Sequence, residues 1–284
     1  MPLRPGGSRR LLIVLAATLV VALVAPAAML GRVSLPAARA GARAELATST
    51  PFTFDLVRGG DFVAQKNFVQ CVGASMQMML NMIRPANDRT AATQRSLQDM
   101  ARSMSGQRPD GVVRKGASVR GWTAGLNAVG AGPYRTVGST DLQAALKLAA
   151  RAMRETGRPV GLLVWRGRHA WVMAGFTATA DPRLTDDFEV ISVIILDPLY
   201  PYGSKTWGPS PKPGVAISIA TLGGQFVPRG FHTTLPGAAE GAPAADPDGS
   251  QSTFQAWSAG LSGKYVIVAP YAVVRFGRIG VWAS

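Results

Sequence analysis

Val72, Met76, Met79, Leu80 and Ile83 recur at three- and four-residue steps, as on the apolar face of a helix, and the polar stretch before them has no such period. The spacing predicts a helix that starts near Cys71 and stops before Pro85, which cannot continue it. Residues 88–104 read as a second amphipathic helix, with Ala92, Leu97, Met100 and Met104 along one side. After a glycine-rich loop to Gly116, Ser118 is placed to cap a third helix through Val129. Ser139 is placed to cap a fourth, which carries Leu142, Ala145, Leu146, Leu148, Ala149 and Met153. To this point the chain reads as helical.

Beyond it the period changes to two. Residues 159–165, 168–177 and 188–197 are β-rich runs separated by turn signals: Gly167 in the first gap, and Asp181-Pro182 with Asp186-Asp187 in the second. Three antiparallel strands are the simplest assignment. A hairpin of the last two that is symmetric about Arg183 pairs residues whose numbers sum to 366, which sets His169 opposite Asp197. Facing side chains in such a pair have Cβ atoms ~5 Å apart, within reach for a carboxylate to hold an imidazole N–H. Residues 52–63 read as a strand or extended entry, 202–214 as a loop, 216–222 as a short element of either type, and 264–269 and 272–276 as late strands that complete the sheet.

Composition changes the picture mainly at the N-terminus. Residues 1–10 carry Arg4, Arg9 and Arg10, and residues 11–31 contain no charged residue. This is the pattern of a membrane anchor with a cytoplasmic n-region and the rest of the chain outside the cell, or of a secretion signal cleaved after the small-x-small run Ala38-Arg39-Ala40. Residues 32–50 are Ala- and Arg-rich without period and read as a tether. Residues 51–284 then form the folded domain, with a disordered Ala, Gly, Pro and Asp-rich insertion at 236–250. The formal charge of +14 suits an anionic envelope surface. It does not indicate nucleic-acid binding, because the arginines are scattered and no aromatic-interleaved basic cluster occurs.

Candidate chemistry is confined by counts. Cys71 is the only cysteine, so an exported chain has no internal disulfide and its thiol is either paired with another chain or reactive. At a helix start it would face amide N–H groups that lack intrahelical acceptors and carry partial positive charge, a setting that favours a thiolate. A thiol nucleophile needs a proton acceptor that can later act as donor, and only His169 and His232 are available. His169 is the better partner, since Asp197 can orient it, whereas His232 has no carboxylate at a useful spacing. One cysteine and two separated histidines cannot assemble a zinc motif, and glycine-rich stretches such as 130–132 lack a Walker-type lysine, so no metal and no cofactor are expected.

The order Cys, His, Asp, with helices after the cysteine and a hairpin joining the other two, resembles a papain-like cysteine peptidase, specifically the peptidase C39-like group. The resemblance rests on Gln65 six residues before Cys71, CVGAS opening the helix, RGRHAWVMAGF around His169 and VIILDPLYP around Asp197, and it covers about residues 52–201. Val72 follows the cysteine where the family commonly has glycine, and the interval from His169 to Asp197 is longer than usual. The resemblance implies an α+β, papain-like fold, with an N-terminal helical lobe carrying the cysteine helix packed on a C-terminal antiparallel sheet. It also implies a Cys71–His169–Asp197 triad, with the Gln65 side chain and the Cys71 backbone N–H as oxyanion donors; Gln70 competes with Gln65 for that role. No ATP-binding signature accompanies it, so a transporter role is not implied.

Three functions follow as expectations. The first is a membrane-tethered or secreted cysteine peptidase acting on peptide or protein substrates through a thioester. The second is acyl transfer to an amine by the same residues, and the third is an inert envelope-binding module. The sequence does not specify substrate or oligomeric state.

Overall fold

Residues 50–106, 114–230 and 260–272 are described by the computed structural model, and all lie in one unit spanning 47–284. Expectations for the segment at 11–31, most of the tether, the insertion at 236–250, His232 and the strand at 272–276 fall outside the described residues. Among the described residues no helix is long and apolar enough to cross a membrane.

The architecture is α+β. The strands are β1 (Phe52–Asp55), β2 (Tyr134–Ser139), β3 (Val160–Val164), β4 (His169–Ala178), β5 (Val190–Leu196), the short β6 (Gly203–Ser204), β7 (Gly208–Pro209) and β8 (Ala216–Ser218), and β9 (Tyr265–Pro270). The helices are α1 (Cys71–Ile83), α2 (Ala91–Ser103), α3 (Val119–Ala128), α4 (Leu142–Thr156) and α5 (Ile219–Gly223). One sheet runs in the order β2-β9-β3-β4-β5-β8, with β1 paired to the far half of β4, and every pairing is antiparallel. The three strands expected from period two are its central members. β6 and β7 form a separate small hairpin within the stretch expected to be a plain loop.

Alternation along the strands sends side chains to two cores. Val160, Leu162, Trp171, Met173, Val193, Ile195 and Ile267 pack with Leu146 and Met153 of α4. Leu163, Ala170, Val172, Leu196, Val266 and Val268 pack with Met76 and Met79 of α1, Leu97 of α2, and Trp122 and Leu126 of α3. The sheet is therefore covered on both faces, each fully buried aliphatic side chain contributing about 1.5–3 kcal/mol. Close approach is built in by small residues: a Cβ on Gly121 would lie 1.9 Å from the Ala101 carbonyl oxygen of α2, and one on Gly161 would lie 2.5 Å from the Trp122 ring.

Several expectations require correction. Residues 134–139 are a strand, not part of a helical half; β2 is an edge strand in which Tyr134 alone is fully buried, so no hydrophobic alternation marks it. The cap of α4 is Asp141, whose carboxylate accepts from the Ala144 N–H at 2.7 Å, while Ser139 ends β2. On α2 the buried face is Gln94, Leu97, Gln98 and Ala101; Ala92 and Met104 are exposed, because two buried glutamines occupy positions that a hydrophobicity pattern assigns to solvent. The β4–β5 ladder pairs Val172 with Leu196 and Met173 with Ile195, a sum of 368 in place of 366, and contains two irregularities, at Met173/Gly175 and Thr177/Ala178. Extended one step, this register sets Asp197 level with Trp171, and His169 reaches the carboxylate diagonally.

Candidate active site

Cys71 is the first residue of α1, and Gln70 at the N-cap makes no side-chain capping bond. Of the first-turn amides, Gly73 donates to the buried Gln98 Oε1 at 2.9 Å and Ala74 to the Gln70 carbonyl at 2.9 Å. The Cys71 and Val72 N–H groups have no acceptor among the described residues, so the thiol lies beside outward-facing donors. α1 is buried nearly all round, but Cys71 itself is only part-buried. The register of the helix on the sheet is fixed one turn later, where the Ser75 hydroxyl donates to the Ala170 carbonyl at 3.2 Å, one residue from His169.

His169 opens β4 opposite Val164 of β3, and only 4% of it is exposed. Its Nε2 lies 2.7 Å from Asp197 Oδ1, an oxygen that also accepts from the Leu199 N–H at 2.8 Å. The carboxylate can only accept, so Nε2 carries the proton in this bond and Nδ1 is the nitrogen left for the sulfur. Burial, the largest influence on the ring, works against the imidazolium. The hydrogen bond to Asp197, the nearby Cys71 side chain and the charge of Asp197 outweigh it, so the His169 pKa is raised to about 9. His169 and Asp197 are thus in direct contact, and Cys71 lies near enough to raise the His169 pKa with Asp197.

Gln65 lies in the loop before α1. Its backbone N–H donates to the Pro198 carbonyl at 2.8 Å, tying the loop to the turn that follows Asp197. Its Nε2 donates to the Asn67 carbonyl at 2.9 Å, which leaves the second N–H of the amide uncommitted, and its Oε1 is buried without a partner. Gln70 is also buried, with its Oε1 unpartnered. The two glutamines differ in how they are held. The buried Gln94 of α2 accepts from the Lys66 N–H at 2.8 Å through Oε1 and donates to the Ala64 carbonyl at 3.1 Å through Nε2, clamping the backbone on both sides of Gln65. Sequence reasoning missed Gln94 and Gln98; the available signal was two polar residues four apart, each adjacent to the apolar pair Leu97 and Ala101.

Trp165 also borders the site. It sits in a turn, Trp165–Gly167, between β3 and β4, and its ring stacks on His169 with centroids 4.2 Å apart and planes at 19°. Among the described residues no group of three His, Cys, Asp or Glu side chains could hold a metal ion. In comparisons with known proteins, no family model, no curated protein and no solved structure matches the chain. The functional argument therefore rests on the geometry of these side chains.

Proposed function

We propose that the chain is a papain-like cysteine peptidase that hydrolyses peptide bonds outside the cytoplasm. The observation that carries this reading is the Asp197–His169 bond of 2.7 Å behind a ring whose other nitrogen is left to the Cys71 sulfur at a helix start. In the reaction, the Cys71 thiolate adds to the scissile carbonyl carbon, and the oxygen that becomes negative is met by the Cys71 N–H and the uncommitted N–H of Gln65. Gln65 is favoured over Gln70 because its loop is clamped by Gln94 and by the Pro198 carbonyl. Removal of one such donor costs about a hundredfold or more in rate. Collapse of the adduct breaks the C–N bond, and His169 gives its Nδ1 proton to the departing amine. A water molecule then loses a proton to His169 and attacks the thioester, releasing a carboxylic acid and restoring the Cys71 thiolate beside the His169 imidazolium. Asp197 holds the ring throughout.

The N-terminal sequence, with three arginines before an uncharged stretch, supports placement at the membrane with the peptidase domain outside, or secretion after cleavage. Acyl transfer would use the same thioester with an amine in place of water. The test is mass spectrometry of peptide mixtures incubated with the full chain and with Cys71→Ala, with and without added amine. Cys71-dependent products with new carboxyl termini support hydrolysis, and amide products formed with the added amine indicate transfer. Absence of any Cys71-dependent product would point to the inert binding module.

A further inference from the structure

Trp165 occupies a position that its backbone does not favour. Both Trp165 and Arg166 have left-handed φ values, +56° and +57°, a region in which side chains with a Cβ are strained and which persists only where the surroundings enforce it. The enforcement is visible. The Trp165 backbone N–H donates to the Gln225 carbonyl at 3.0 Å, and its indole Nε1 donates to the Gln225 side-chain Oε1, also at 3.0 Å. Gln225 is itself buried and its Nε2 donates to the Pro209 carbonyl at 3.0 Å, so both ends of its amide are fixed. Trp171 packs edge-on against the other indole at 6.5 Å and 72°. A strained turn, a doubly fastened indole and a near-parallel stack at 4.2 Å all converge on one ring, that of His169.

We propose that Trp165, locked by Gln225, is a positioning residue for the Cys71–His169 pair: its indole face keeps the imidazole in the plane that meets both Asp197 and the sulfur, and favours its cationic form. This rests on the peptidase reading of the same site. The physical basis is the negative face of the indole π system, which attracts a cation stacked on it most strongly when water is excluded, and Trp165 is only 9% exposed. The groups that act on the charge of the ring are Asp197 after β5 and Cys71 on α1; Arg166 and Arg168 lie in and just after the Trp165–Gly167 turn, and the Arg229 side chain packs against Gly167. Asp197 and Cys71 both favour the imidazolium, and substituting Trp165 removes neither them nor the arginines.

The test is NMR titration of the His169 imidazole in the full chain, assigned with His169→Ala, for wild type, Trp165→Leu and Trp165→Phe. Leucine keeps the apolar cover but has no π face, so the His169 midpoint is expected to fall by about one pH unit, the scale of a desolvated cation–π contact. Phenylalanine keeps a face without the Nε1 anchor and is expected to retain more than half of the effect. Alkylation of Cys71 by iodoacetate, whose carboxylate is drawn to the imidazolium, should decline above correspondingly lower pH in the leucine variant. If Trp165→Leu does not fold, Gln225→Met, which removes the Oε1 that the indole N–H needs, is expected to lower the midpoint in the same direction by a smaller amount. An unchanged midpoint in the folded variants, or equal falls in the phenylalanine and leucine variants, overturns the proposal. Failure of the peptidase reading would look different: His169→Ala would leave Cys71 alkylation unaltered at every pH, whatever Trp165 does.

Discussion

Gln94→Leu separates the two parts of the site. Leucine is close to glutamine in size, so the α2 face keeps its packing, but the Lys66 N–H and the Ala64 carbonyl lose their partners at 2.8 and 3.1 Å, as does the weaker contact to Gln77 Oε1 at 3.4 Å. Two backbone groups of a part-buried loop are left to find water, at about 1 kcal/mol each, so the expected loss of stability is about 2 kcal/mol in chemical denaturation. The functional effect depends on which reaction is measured. Alkylation of Cys71 by iodoacetamide occurs at a tetrahedral carbon and builds no oxyanion, and the Gly73–Gln98 bond at the start of α1, the Ser75–Ala170 bond and the His169–Asp197 bond all remain, so its rate should stay within about twofold of wild type. Acylation by 4-nitrophenyl acetate does build an oxyanion. If the loosened loop no longer holds Gln65 in place, that rate should drop by up to about a hundredfold. The reasoning is refuted if both reactions slow together, which would mean the whole site has shifted, or if acylation is unchanged in a folded variant whose stability has fallen.

Asp197→Asn retains an oxygen for the His169 and Leu199 N–H groups but removes the charge. Because a negative neighbour favours the imidazolium, the His169 midpoint should fall from about 9 by about 1–2 units, read by NMR titration; a rise or no change contradicts the assigned bond. A histidine whose folded pKa lies above its unfolded value of about 6.5 stabilises the fold fully below pH 6.5 and loses that contribution as pH rises through about 9. Wild type should therefore gain on His169→Phe in urea unfolding at pH 6 relative to pH 10. Gly121→Ala should destabilise by about 3 kcal/mol or more, since its Cβ would meet backbone at 1.9 Å, whereas Gly59→Ala, with nothing within 4 Å, should change stability by less than about 0.5 kcal/mol.

The parts of the site legible in the sequence were those marked by period and count. The start of α1 at Cys71 follows from a 3.6-residue pattern, and the meeting of His169 with Asp197 follows from alternation on two strands joined by a short connection. The register was two off because the irregularities at Gly175 and Ala178 leave no mark in a pattern of apolar residues; side-chain reach absorbed the error, since a diagonal neighbour on the same face still contacts the ring. The α2 stripe was misread for the opposite reason. Gln94 and Gln98 are buried because they satisfy backbone groups on the cysteine loop and helix, a need set by tertiary contacts 25 to 30 residues away. The link from Trp165 to Gln225 spans 60 residues and no local pattern announces it. Choosing between Gln65 and Gln70 likewise required the backbone bonds around each, which spacing alone does not carry.

The account stands on Cys71 and His169 acting as one unit, and the most direct measurement is the pH dependence of Cys71 alkylation by iodoacetamide in wild type and in His169→Ala. The predicted result is that wild type reacts at least about tenfold faster than the variant at pH 6, where the imidazolium supports a thiolate, with the two converging at high pH. Equal rates in wild type and His169→Ala across the range would contradict the account and leave Cys71 an isolated thiol.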